Sequence, residues 1–128
     1  MDFSKNQKNV IELINGDLLV SASAGSGKTA VLVQRIINLI LNYCVSINEI
    51  LVITFTNAAA VEMKERIVKA LGDNINDINK HILEEQLMLV SNSNIQTFHS
   101  FCLDILKNNY YKLNLGSNFK IIKDSHRK

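Results

Sequence analysis

The chain has no proline, only two cysteines and only three arginines among its 128 residues. With no proline, no repeat and no biased tract, a Pro-rich spacer or low-complexity segment is excluded. Cys44 and Cys102 lie far apart and form no CxxC unit. Both sit in apolar, helix-like runs, so they are expected to be buried free thiols rather than a metal site or a disulfide. The opening residues, Met1-Asp2-Phe3-Ser4-Lys5-Asn6, lack the apolar centre of a signal peptide. No apolar run is long enough to span a bilayer, and the default expectation is a cytoplasmic protein without membrane contact. Charge is also scarce in any one sign. The net charge of +2 is weakly basic; it permits nucleic-acid binding but lacks the dense patch that would argue for it.

What is present is ordinary for one globular domain: 47% hydrophobic and 20% charged residues, on a chain long enough to bury a real core. The pattern alternates short apolar runs with longer helical stretches, as in an α/β domain. A helix is expected from about Ser4, a plausible N-cap, to Ile14, with Asn15-Gly16-Asp17 stopping it. Leu18-Leu19-Val20 reads as a strand buried on both faces, followed by a small-residue loop to Gly27. Lys28 to about Asn42 repeats its apolar residues at helical spacing. Ile50-Leu51-Val52-Ile53 reads as a second buried strand. A long helix follows from Asn57 to Leu71, closed by Gly72 at C′. After a polar loop come a helix from His81 to Val90, a short strand Asn94-Ile95-Gln96, a helix from Phe98 to Tyr111 and a last strand Phe119-Lys120-Ile121-Ile122. Crossovers of that length favour parallel strands.

One stretch carries chemistry on its own: Ala22-Ser23-Ala24-Gly25-Ser26-Gly27-Lys28-Thr29. It follows an expected strand and opens an expected helix, the context a phosphate-binding P-loop requires. Gly25 and Gly27 can adopt backbone angles closed to other residues, so successive N–H groups can turn inward. Those amides and the positive end of the following helix make an anion nest. Lys28 would set an ammonium against the β- and γ-phosphates, and the Thr29 hydroxyl would supply one Mg²⁺ ligand. The general pattern begins with glycine, whereas this loop begins with Ala22.

That variant resembles the helicases of superfamily 1, and the rest of the chain extends the likeness. Thr54-Phe55-Thr56-Asn57-Ala58-Ala59-Ala60-Val61-Glu62-Met63 looks like motif Ia of the superfamily 1A (UvrD/Rep-like) DNA helicases. Thr97-Phe98-His99-Ser100-Phe101 resembles a later motif of that group, and Gln7 stands where its Q motif lies. The Ser-Ala-Ser-Ala-Gly form of the loop is most similar to the AddA-type helicase–nuclease subunits. The UvrD/Rep/PcrA branch remains the alternative. The resemblance implies a RecA-like P-loop NTPase sheet flanked by helices, of which residues 1–128 form an incomplete N-terminal portion of motor domain 1A. It implies ATP and Mg²⁺ as cofactors. Gln7 would contact adenine; Ala22, Ser23, Ala24, Gly25, Ser26, Gly27, Lys28, Thr29 and Ala30 would line the nucleotide, with Thr29 on Mg²⁺. Phe55, Thr56, Asn57, Thr97 and His99 would touch single-stranded DNA. Ala30 departs from members that carry an Arg against the base. Arg35, one turn on, could replace that Arg or serve in a salt bridge or at the surface.

The resemblance further implies duplex-end DNA for a substrate, a second subunit of AddB type for a partner, and a role in processing double-strand breaks. No Asp-Glu pair follows an apolar strand, and Asp124 alone is a poor match for Walker B. Residues 1–128 are expected to hold neither a second motor domain nor a nuclease domain, and hence no complete catalytic set. Weak nucleotide binding, negligible hydrolysis and self-association through uncovered apolar surface are the expectations for the isolated chain. A small P-loop kinase would need an Arg-rich lid, and Arg35, Arg66 and Arg127 are too few and too scattered. A non-catalytic nucleotide-binding remnant is the remaining class. Apart from the resemblance, the bland readings are that Phe55 packs in the core, His99 caps or packs its helix, Met63 is core, Tyr110 and Tyr111 pack at a helix end, and Glu62, Lys64, Glu65 and Arg66 form a solvated face.

Overall fold

The computed structural model describes residues 2–23, 25–113 and 116. Its first element, α1 (Lys5–Glu12), begins where the sequence supplies a reciprocal cap. The Ser4 hydroxyl accepts from the Gln7 amide at 3.3 Å, and Gln7 Oε1 accepts from the Ser4 amide at 2.8 Å. Such a capping box satisfies two helix-end donors at once. The chain turns out of α1 through Gly16, whose φ of +86° a side chain would oppose.

The strand expected at Leu18–Val20 does not form. These residues have no regular structure, and Leu19 is 96% exposed. An apolar run becomes a strand only beside another backbone that completes its ladder. Among the described residues the only ladder is elsewhere, between two other segments.

α2 (Lys28–Tyr43) follows, burying Val31, Val33, Ile36, Ile37 and Ile40. It ends at Cys44, whose left-handed φ of +54° turns the chain outward. Cys44 is consequently exposed and Cys102 half-buried; both are free thiols, but neither is sealed in the core as expected. A short 3₁₀ turn, Ile47–Glu49, leads into β1 (Leu51–Thr54). α3 (Asn57–Asp73), α4 (Lys80–Leu89), β2 (Asn94–Thr97) and α5 (Phe98–Asn109) complete the order. α3 runs through Gly72 instead of stopping there, because Asn74 takes the closing role. The Asn74 side-chain amide donates to the Ala70 carbonyl at 2.7 Å, and its backbone N–H serves the last turn. The strand expected at Phe119–Ile122 lies outside the described residues.

β1 and β2 pair in parallel, with Leu51 opposite Asn94, Val52 opposite Ile95, Ile53 opposite Gln96 and Thr54 opposite Thr97. The parallel α/β arrangement is the expected one, in a small two-stranded sheet. Coverage is not as expected. Val52 and Ile95 point into the core, while Leu51 and Ile53 are each 44% exposed. The core lies on one face, where Ile36, Ile37 and Ile40 of α2 meet Met63, Ile67 and Leu71 of α3 and Leu83 of α4. One polar group joins this layer. Gln86 is buried, and its Oε1 accepts the Ile47 amide at 2.8 Å, so neither group is left unpaired away from water. Among the described residues no helix is long and apolar enough to cross a membrane.

Candidate functional site

The loop before α2 has the backbone its glycines allow. Gly25 and Gly27 sit at φ +76° and +82°, the left-handed region. Ser26 N–H closes back on the Ser23 carbonyl at 3.3 Å, and the first α2 bond runs from Val31 N–H to the Gly27 carbonyl at 3.0 Å. No side chain caps α2, so the amides at its start have no acceptor inside the helix. They point off the positive end of a 16-residue helix, an arrangement that attracts anions. Lys28 Nζ donates to the carbonyls of Ala22 and Ser23 at 2.7 and 2.6 Å, which holds the ammonium at the mouth of the loop. Thr29 and Ala30 are half-buried in the first turn. Ser26 Oγ is buried with no hydrogen-bond partner among the described residues. Ala24 lies outside the described residues.

Gln7 joins α1 to this loop. Its Oε1 is held by the Ser4 amide, and its Nε2 donates to the Ser26 carbonyl at 3.2 Å. A primary amide offers two hydrogens and two oxygen lone pairs. One of each is used, and the orientation is fixed because only oxygen can accept from Ser4. One hydrogen and one lone pair remain. Gln7 lines a cleft of about 720 Å³ with Val10, Ser26, Lys28, Leu32 and Arg35, within the usual size of ligand sites.

The other candidate residues gather at the carboxyl ends of the two strands. Because Thr54 pairs with Thr97, the segments that follow them leave the sheet side by side. Phe55, Thr56 and Asn57 are all exposed, Phe55 completely; it is not a core aromatic. Thr56 caps α3 by accepting the Ala59 amide at 3.1 Å. Thr97 is different. It is only 7% exposed, and its hydroxyl accepts the Ser100 amide at 3.2 Å and bonds Ser100 Oγ at 2.9 Å. Thr97, not His99, is therefore the cap of α5. His99 is exposed and meets Phe98 edge-to-face, with ring centroids 6.4 Å apart. Phe98, 59% exposed, was missed by sequence reasoning; its position directly after a capping threonine at a strand end was the available signal.

The bland readings hold elsewhere. Met63 is core. Arg66 pairs with Glu62 at 2.6 Å on the surface of α3, a contact of small energetic weight. Tyr110 and Tyr111 stack edge-to-face after α5, with Lys112 over the second ring. Among the described residues no group of three or more His, Cys, Asp or Glu side chains could hold a metal.

The chain is thus an α/β domain with a glycine-shaped loop ahead of a long helix and motif residues at the carboxyl ends of two parallel strands. Residues 3–128 match the model of the UvrD/REP helicase N-terminal domain, and the chain belongs to that family. It is 52% identical over 123 residues to an ATP-dependent helicase/nuclease subunit of Clostridioides difficile (strain 630). It is 50% identical over 122 residues to the protein of the same name from Clostridium beijerinckii, and 48% identical over 130 residues to that of Clostridium kluyveri. These matches cover 93%, 93% and 98% of this chain. The chain spans about 10% of the length of each relative.

Proposed function

We infer that the chain is the ATP-binding N-terminal part, residues 1–128, of an AddA-like DNA helicase–nuclease, built on a RecA-like P-loop fold. One observation carries this reading: Lys28, Ser26 and Gln7 line one cleft beside the start of α2, which no side chain caps. A triphosphate takes the loop between Gly25 and Ala30, displacing the Ala22 and Ser23 carbonyls as acceptors for Lys28. The free hydrogen and lone pair of Gln7 match the N7 acceptor and N6–H donor of adenine, the pairing a glutamine makes with that base elsewhere. Guanine, with an oxygen in place of N6–H, would oppose its acceptor to Gln7 Oε1.

The Thr29 hydroxyl, a neutral oxygen beside Lys28, suits a hard cation that keeps most of its water and phosphate ligands. Mg²⁺ bound there would neutralise phosphate charge. Gly25, Gly27, Lys28 and Thr29 position the phosphates but activate no water, so this segment binds ATP without turning it over efficiently.

Exposed Phe55 and Phe98, with His99 beside them, suit stacking on unpaired bases. Thr56 and Asn57, at the start of α3, suit contacts to a strand's phosphates. Thr97 contributes by setting the start of α5 rather than by direct contact. In the whole protein, ATP use drives movement along single-stranded DNA at broken duplex ends, in recombinational repair, with nuclease activity and an AddB-type partner supplied by other segments, in the cytoplasm.

Isothermal calorimetry with ATP and Mg²⁺ tests the reading. Lys28→Ala is expected to weaken binding at least about tenfold, the scale of one charge-assisted contact. Unchanged affinity in that variant refutes the loop's role.

A further inference from the structure

α1 is thinly attached. Ile11 is its one buried side chain among the described residues. Yet α1 carries Gln7, whose usefulness depends on where the helix sits. Two side chains of α2 supply what packing does not. Arg35 Nη1 donates to the Val10 carbonyl, and Asn38 Nδ2 donates to the Ile11 carbonyl at 3.1 Å. Both carbonyls belong to the last turn of α1, where helix acceptors have no intrahelical partner. α1 has no basic residue of its own in that turn, so the Arg35 guanidinium also supplies the positive charge that a helix C-terminus favours. Arg35 is half-buried and lines the same cleft as Gln7 and Val10.

We propose that Arg35, assisted by Asn38, is a positioning residue for base selection: it pins the last turn of α1 to α2 and so holds the Gln7 amide at the cleft. The proposal rests on the reading that Gln7 meets adenine. The chain of contacts is continuous. Arg35 fixes Val10, α1 carries that constraint one turn back to Gln7, and Gln7 is then aimed by Ser4 and Ser26. The phosphate loop itself does not depend on Arg35, because Lys28 and the amides at the start of α2 belong to the other end of the arrangement.

Two measurements on the full chain test this. The first is amide hydrogen exchange over residues 5–14 in wild type, Arg35→Met and Arg35→Lys. Methionine keeps the apolar stem and removes every donor; lysine keeps one. The expected result is faster exchange over α1 in Arg35→Met, partly restored in Arg35→Lys, with α2 and α3 unchanged. The second compares affinity for ATP with affinity for inorganic tripolyphosphate, which has no base. Arg35→Met is expected to lose ATP affinity by about three- to tenfold, the range of one net hydrogen bond, with tripolyphosphate binding unchanged. Gln7→Ala should lose ATP affinity alike, and the double variant should be no worse than either single one. Unchanged exchange over α1 in Arg35→Met overturns the proposal. So does an equal loss for both ligands in Arg35→Met while Gln7→Ala loses only ATP. If Gln7→Ala itself leaves the ATP-to-tripolyphosphate ratio unchanged, the adenine reading falls, and the exchange result alone upholds or overturns the clamp.

Discussion

Two glycine-to-alanine substitutions in this chain should act in opposite directions. Gly27 sits at φ +82°, the residue immediately before α2. A Cβ there would lie 3.5 Å from Gln7 Nε2, an ordinary contact, so space is not the obstacle. The obstacle is the backbone. A left-handed residue with a Cβ costs roughly 1–2 kcal/mol. Gly27→Ala must either bear that cost or let the loop relax toward negative φ, which reorients the amides at the start of α2. Gly72 offers the contrast. It lies inside α3, has no positive φ, and a Cβ there meets nothing within 4 Å. Alanine at such a helical site should gain roughly 0.5 kcal/mol through lower unfolded-state entropy and better helix propensity. Urea unfolding should therefore move the midpoint down for Gly27→Ala and up for Gly72→Ala with equal m-values. ATP affinity should fall about tenfold for Gly27→Ala only, if the strain of about 1.4 kcal/mol is expressed in binding. Equal affinities in wild type and Gly27→Ala, with the unfolding midpoint also unmoved, would show that the loop amides do not need this conformation, and the phosphate-site argument would lose its geometric basis.

Two further outcomes follow from side-chain placement. Phe55→Ala removes a wholly exposed ring, so the unfolding midpoint should not move, while affinity for single-stranded oligonucleotide, read by fluorescence anisotropy, should drop about fivefold or more if the ring stacks on a base. Gln86→Leu leaves the Ile47 amide buried without its acceptor, which should cost about 1–3 kcal/mol in denaturant unfolding with nucleotide binding intact.

Sequence reasoning located what depends on neighbours along the chain and lost what depends on neighbours in space. Ser4 and Gln7 stand three apart, so their mutual cap was within reach of a local pattern, as was the glycine-shaped loop between an apolar run and a long helix. The end of α3 was misjudged because Gly72 is a common stop signal, whereas Asn74 closes the helix here with its own side chain. The exposure of Cys44 was hidden for the same reason: its apolar surroundings say burial, but its position as the left-handed cap of α2 faces it outward. Arg35 is the clearest loss. Its partner, the Val10 carbonyl, is 25 residues away, and no spacing rule connects a side chain on one helix to a backbone oxygen on another. Sequence alone offers Arg35 a base contact or a surface role. In the structure its guanidinium bonds the last turn of α1, the helix that carries Gln7.

The unpaired Leu18–Val20 segment bears on how the site is built. Three consecutive apolar residues signal burial on both faces, yet Leu18 and Val20 are each more than 40% exposed and Leu19 almost wholly so. β1 repeats the mismatch more mildly, with Leu51 and Ile53 half uncovered on the face away from α2 and α3. Hydrophobic patterning is set by the environment in which a residue is selected, and these two segments carry the pattern of a sheet wider than two strands. The loop is less affected than the strand before it. Its glycine angles, the Ser26–Ser23 turn and the first bond of α2 are local, and its tie to Gln7 comes from α1, which α2 holds in place. The loop geometry thus rests on its own glycines and on α2 rather than on the segment that leads into it. That is why the glycine-shaped turn is kept although Leu18–Val20 joins no sheet.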